Sequence, residues 1–279
     1  SARLPGTRGA ADGRGWSAPV AVSARAGIHV LAAGRLIETT NGVLLVPAVW
    51  CAALETLGVE GASPACEVVV YASEDGGWIW GEAGALSVED ARDPAMAEIA
   101  ADTLLVVARA GGQLVQSLSM DGARTWSAPR PLDFETDLTP HALARDATSG
   151  EVALVWTEPR DLGVAPPGLQ ALCLARTADG ARTWERLPPL VLRPGRVPVS
   201  PALGLDAGQL AVLFEERGAA SRLVCTGYDL MQLERAARVS APEARDGVYS
   251  RDAAAARRTL RLVAAHTLAR APGRRRLFV

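Results

Sequence analysis

The chain has 279 residues, a formal net charge of −2 and no lysine, its 29 cationic side chains all being arginine. That length allows one large domain with a real core, and a near-neutral charge without a long basic run argues against nucleic acid as a partner. No apolar run is long enough to span a membrane as a helix, and no Cys or His spacing matches a metal site. Short strand-like runs then follow in chain order: Val43–Val49, Glu67–Ala72, Thr103–Ala108, Val152–Trp156, Gln209–Phe214 and Thr259–Ala264. They are rich in Val and Leu, and Gly, Asp, Asn and Pro punctuate them, as in an all-β protein. No long amphipathic helix competes, and the acidic stretch Ser87–Ala101 has room for a single helical turn at most. Cys51 and Cys66 flank an apparent insertion and can pair, although free core thiols are the simpler reading. The chain begins at Ser1 and shows no signal peptide, which leaves secretion or a periplasmic location open.

A repeat organises these strands. Residues 119–126 read Ser-Met-Asp-Gly-Ala-Arg-Thr-Trp, and residues 177–184 read Thr-Ala-Asp-Gly-Ala-Arg-Thr-Trp. Residues 73–80 and 10–16 are looser copies, centred on Asp75 and Asp12. The four tryptophans are 64, 46 and 58 residues apart, and the shortest interval is near the length of a four-stranded propeller blade. The aspartate side chain accepts backbone N–H groups and closes the turn. The glycine tolerates positive φ, and the tryptophan is expected to bury its ring beneath the turn. Turn chemistry accounts for these aspartates, so they are not taken as catalytic.

These octads resemble the Asp box, or BNR repeat, of the sialidase (neuraminidase) superfamily, and with the arginine-rich, lysine-free composition they suggest a bacterial source. The resemblance implies a six-bladed β-propeller of the sialidase type, formed by residues 1–279 as a single domain. Blades are expected over residues 28–87, 94–132, 139–192 and 199–240, with a partial one in 1–23 and the last in 248–279. The fifth carries a degenerate turn at Tyr228 and Asp229. About ten residues precede Asp12, fewer than the family places before its first box, so the first blade is expected to be incomplete and the chain truncated at its N-terminus.

The resemblance also implies a site. Asp93-Pro94-Ala95-Met96-Ala97-Glu98-Ile99, followed by Leu104-Leu105-Val106-Val107-Ala108-Arg109, is similar to the family's Glu-Pro and Leu-Leu-x-x-x-Arg strand pair. A hairpin turning near Ala100–Asp102 returns Arg109 beside Asp93. Arg109 then matches a carboxylate-binding arginine, with an ordinary ion pair to Asp93 as the alternative. Asp93 matches the acid that assists the nucleophile, although it is one methylene shorter than the family's Glu. Gly247-Val248-Tyr249-Ser250 is similar to the segment that carries the nucleophile, Tyr249, and Arg222 matches a further carboxylate-binding arginine. Their alternatives are a packed strand tyrosine and a solvated arginine. His141 follows Pro140 at the start of an inner strand and is expected at the rim, with a place lining the cavity as the alternative. Glu158, Glu215 and Glu216 end strands without an assigned role.

The implied activity is that of a retaining exo-α-sialidase acting on a sialylated glycan or a related acidic sugar, without cofactor or metal. The alternative is a non-catalytic Asp-box propeller used for binding or scaffolding.

Overall fold

The computed structural model describes residues 4–9, 15–31, 36–52, 66–88, 90–136, 140–160, 169–192, 197–217, 221–239 and 276–278. They are almost entirely β. β1 (Pro5–Gly9) pairs with the two-residue β2 (Val20–Ala21). β3 (Ile28–Val30) and β4 (Ile37–Glu38) both pair with β5 (Leu44–Cys51), and β6 (Cys66–Ser73) and β7 (Gly81–Leu86) complete that sheet. β8 (Arg92–Ala100), β9 (Thr103–Ala110), β10 (Gln113–Ser119) and β11 (Arg130–Glu135) form an antiparallel meander. β12 (Ala142–Arg145), β13 (Val152–Arg160), β14 (Leu169–Thr177) and β15 (Glu185–Leu192) form another. β16 (Val197–Asp206), β17 (Gln209–Arg217) and β18 (Arg222–Asp229) form a three-stranded sheet, and α1 (Leu230–Val239) follows. β19 (Arg276–Phe278) returns to pair with β1. The expected strand Thr259–Ala264 lies outside the described residues.

The chain divides into two compact units, Ser1–Leu132 with Ala271–Val279, and Asp133–Arg270. In the first, alternation along β6 sends Val68 and Val70 into one core and Val69 and Tyr71 into another. A strand buried on both faces reads as a continuous apolar run, which is why Val-Val-Val-Tyr shows no polar alternation. β8 replaces the single helical turn allowed within Ser87–Ala101. Met96 joins one core while Ala95 and Ala97 are buried on the other face, so packing overrides the alanines' helical preference. In the second unit the core gathers Leu172, Leu174, Leu210, Val212, Phe214, Leu230 and Leu233. Each fully buried leucine contributes about 2 kcal/mol.

The octads fold as their chemistry requires. Asp121 Oδ1 accepts the Thr125 N–H at 2.9 Å and the Ser119 hydroxyl at 2.8 Å, while Oδ2 accepts the Thr125 hydroxyl at 2.6 Å. Asp179 repeats this with Thr183 and Thr177, and Asp75 takes the N–H groups of Trp78 and Ile79. Ala123 and Ala181, which stand where the repeat has its second glycine, adopt φ of 76° and 64°. The tryptophans differ from expectation. Trp80, Trp126 and Trp184 are half-buried, whereas Trp16 remains 55% exposed. Asp12 lies outside the described residues.

Two further expectations are corrected. After Asp229 the chain enters α1 instead of a fourth strand. Asp229 Oδ1 accepts the Gln232 N–H at 3.2 Å as an N-cap, and Leu230 and Leu233 anchor the helix in the core. Cys51 and Cys66 are joined as a disulfide, since they face each other as a registered pair at the ends of β5 and β6, with Cα atoms 4.4 Å apart. Cys173 and Cys225 are not disulfide-bonded.

Candidate functional site

The β8–β9 hairpin turns at Ala101 and Asp102 and brings Arg92 opposite Arg109. The register then shifts between Arg92 and Ala95. Asp93 occupies this bulge with φ of 51°, a left-handed backbone that a non-glycine residue seldom adopts. Pro94 follows it and brings no N–H for the ladder to lose. The bulge aims the Asp93 carboxylate at its cross-strand neighbour, and Arg109 Nη2 donates to Asp93 Oδ2 at 3.0 Å. The two side chains are 18% and 14% exposed, so the pair is largely desolvated. Arg109 Nε is buried and has no hydrogen-bond partner among the described residues. The arrangement is an anchored guanidinium with an unused donor. It lies at the far end of β9 from the Asp121 turn, about 20 Å away along the strand.

Arg222 opens β18 directly opposite Glu216 of β17. Its Nε donates to Glu216 Oε2, and Glu216 is fully buried while the Arg222 side chain is 54% exposed. Arg222 is therefore anchored by a carboxylate at its base with its other face toward solvent, and is not a freely solvated arginine. Sequence reasoning left Glu216 without a role, because nothing in a local motif marks a residue six positions away as a cross-strand partner. Asp93 and Arg109 belong to the first unit and Arg222 to the second. Tyr249 lies outside the described residues.

The same device recurs. Glu158 near the end of β13 holds Arg186 and accepts the Cys173 thiol at 3.3 Å. Arg25 is held by Glu67 and by Glu82, the latter at 2.6 Å. Glu67, Glu158 and the pairs Asp93–Arg109 and Glu216–Arg222 lie toward the strand ends away from the octad turn or its degenerate counterpart, whereas Glu82 and Arg186 each follow an octad directly. His141 is not a rim residue. It is wholly buried at the start of β12. Among the described residues no three His, Cys, Asp or Glu side chains are grouped to hold a metal ion, and no described helix is long and apolar enough to cross a membrane.

The family model for the BNR repeat-like domain matches residues 3–222. No curated protein matches the sequence. Among solved structures, the Trypanosoma rangeli sialidase in complex with sialic acid aligns with a TM-score of 0.57 at 16% identity, over 81% of this chain and 37% of that one. The Hadza microbial sialidase Hz136 aligns at 0.57 and 18%, over 80% and 43%. A protein of unknown function from Dyadobacter fermentans aligns at 0.56 and 17%, over 77% and 60%. The chain thus spans less than two thirds of each of these relatives. At such identities the likeness is one of fold.

Proposed function

We propose that the chain, which belongs to the BNR repeat-like domain family, serves as the propeller of an exo-α-sialidase-type glycoside hydrolase. In this reading residues 1–279 are one propeller domain of six blades, the first incomplete, and the octads are its Asp boxes. The observation that carries the reading is Arg109, anchored by Asp93 with its Nε donor unused. A guanidinium held this way is pre-oriented for the two-pronged grip that a sugar carboxylate requires.

The chemistry follows from that grip. Arg109 and Arg222 bind the carboxylate and fix the anomeric carbon. The Tyr249 hydroxyl attacks that carbon as an acidic group, Asp93, takes its proton. Meanwhile the bond to the aglycone oxygen breaks, and a general acid protonates that oxygen so that the aglycone leaves as an alcohol. A neutral nucleophile suits this site, because a carboxylate there would meet the substrate's own negative charge. The glycosyl–tyrosine intermediate is then hydrolysed, with retention of configuration and through oxocarbenium-like transition states. No cofactor or metal is invoked.

One observation favours a second reading, a non-catalytic propeller that binds or scaffolds. The Asp93 carboxylate is engaged with Arg109, and it is one methylene shorter than the acid it replaces. Hydrolysis of a fluorogenic α-sialoside by the full-length protein, beside Tyr249→Phe, decides between them. Turnover that the variant abolishes supports the hydrolase. A folded protein that binds sialosides without turnover supports the second reading.

A further inference from the structure

We propose that the Cys51–Cys66 disulfide is a redox-sensitive latch that holds the segment around Arg25 against the second sheet. Cys51 is the last residue of β5 and Cys66 the first of β6, and they form the terminal pair of that ladder. The next pair inward is Trp50 with Glu67. Both of these residues grip the segment that precedes β3. The Arg25 guanidinium lies 4.6 Å from the centre of the Trp50 ring and makes an ion pair with Glu67. Trp50 Nε1 donates to the Ala26 carbonyl at 3.3 Å. Gly27 sits so close that a Cβ on it would be 2.6 Å from the Cys51 carbonyl oxygen and 2.6 Å from Trp50 Nε1. β3 then lies directly on the same strand end, Ile28 opposite Cys51 and His29 opposite Trp50.

The cross-link therefore sits one residue from the Trp50 and Glu67 contacts with residues 25–29, while Glu82 and Tyr71 hold Arg25 and His29 from farther along the sheet. Terminal ladder pairs open at little free-energy cost. A bond between Cys51 and Cys66 removes that freedom by closing a loop whose ends are 15 positions apart in sequence. The chemistry balances. Two thiols lose two protons and two electrons to a disulfide-class oxidant, which leaves as a dithiol, and a dithiol reductant reverses the step. The latch is set where such oxidants prevail and opened where dithiols do. Opening frees Trp50 and Glu67 together, and with them the stacking and one of the two ion pairs that immobilise Arg25.

The test uses the full chain. Alkylation of the unreduced protein in denaturant, followed by mass measurement, is expected to modify two cysteines, Cys173 and Cys225, and four after dithiothreitol. Limited trypsin digestion of the native protein reads the latch at the Arg25–Ala26 bond. Cleavage there is expected to accelerate at least tenfold on reduction, while cleavage after Arg176, in the other unit, is unchanged. A Cys51→Ser, Cys66→Ser double variant is expected to cut at the reduced rate with or without dithiothreitol. If that variant fails to fold, the wild-type protein with and without reductant still decides. Four modified cysteines before reduction, an unaltered Arg25 cleavage rate, or equal acceleration at Arg176 overturns the proposal.

Discussion

Asp146 Oδ2 accepts the backbone N–H of Gly208 at 2.7 Å, so one carboxylate in the β12–β13 turn secures the β16–β17 turn of the neighbouring sheet. Its Oδ1 meanwhile accepts Thr148 N–H at 2.7 Å and Ser149 N–H at 3.3 Å. The residue is 1% exposed. Burial by itself pushes the carboxyl up, but the N–H groups of Gly208, Thr148 and Ser149 outweigh burial and hold it below its ordinary value. Asp146→Ala strands three backbone donors and is expected to cost about 3 kcal/mol in urea-induced unfolding. An unchanged unfolding midpoint refutes this account of the turn.

The octad aspartates predict behaviour in acid. The Thr125 hydroxyl, then the Thr125 N–H, lower the Asp121 carboxyl to about 2. A depressed folded-state value means that the anion is favoured by folding. The stabilisation is complete above the unfolded value of about 3.9. It is lost as the pH falls through the folded value. The melting temperature is therefore expected to drop between about pH 4 and pH 2. Asp121→Asn removes that aspartate's share, which thermal melts across the interval measure directly.

The Asp93–Arg109 pair separates the two functional readings. Arg109→Lys keeps the charge but loses the planar fork, and is expected to raise KM for an α-sialoside about tenfold or more. Asp93→Asn lowers kcat at least tenfold if Asp93 accepts the tyrosine proton. If Asp93 serves only to hold Arg109, the amide still accepts a hydrogen bond, and kcat stays within about twofold. Steady-state kinetics on the two variants distinguish these outcomes.

A relay of half-buried His29 with buried Tyr71 and Ser23 makes the first unit sensitive near neutral pH. His29 Nε2 lies 2.8 Å from the Tyr71 hydroxyl, which lies 2.9 Å from Ser23 Oγ. Burial, then the charge of Arg25, lowers the His29 value below 6.5. Folding thus favours the neutral ring, which can accept a hydrogen bond from the Tyr71 hydroxyl. The stability is complete above the unfolded value and declines as the pH falls through about 6.5. Melting temperatures between pH 7.5 and 5.5 are expected to show the decline in the wild type and not in His29→Gln. Tyr71→Phe is expected to cost about 1–2 kcal/mol, because both Ser23 and His29 lose a buried partner.

What the sequence by itself determined is local. The octads carry their own hydrogen-bonding partners within five residues, so Asp121 and Asp179 close the turns expected of them wherever the strands pack. The interval from Asp93 to Arg109 spans one hairpin, and a hairpin of that length sets its own pairing. The alternative of an ion pair between them was legible for the same reason. Tertiary structure decided the rest. Cys51 meets Cys66, Glu216 meets Arg222 and Asp146 meets Gly208 only because particular strands became neighbours, and no local pattern records which strands those are. His141 looked like a rim residue and became wholly buried for that reason. Leu230–Val239 became a helix because Leu230 and Leu233 found an apolar surface beside β15 and β18. Turn chemistry acts over a few bonds and is written in the order of residues, whereas pairing and burial depend on surfaces that exist only after the chain has folded.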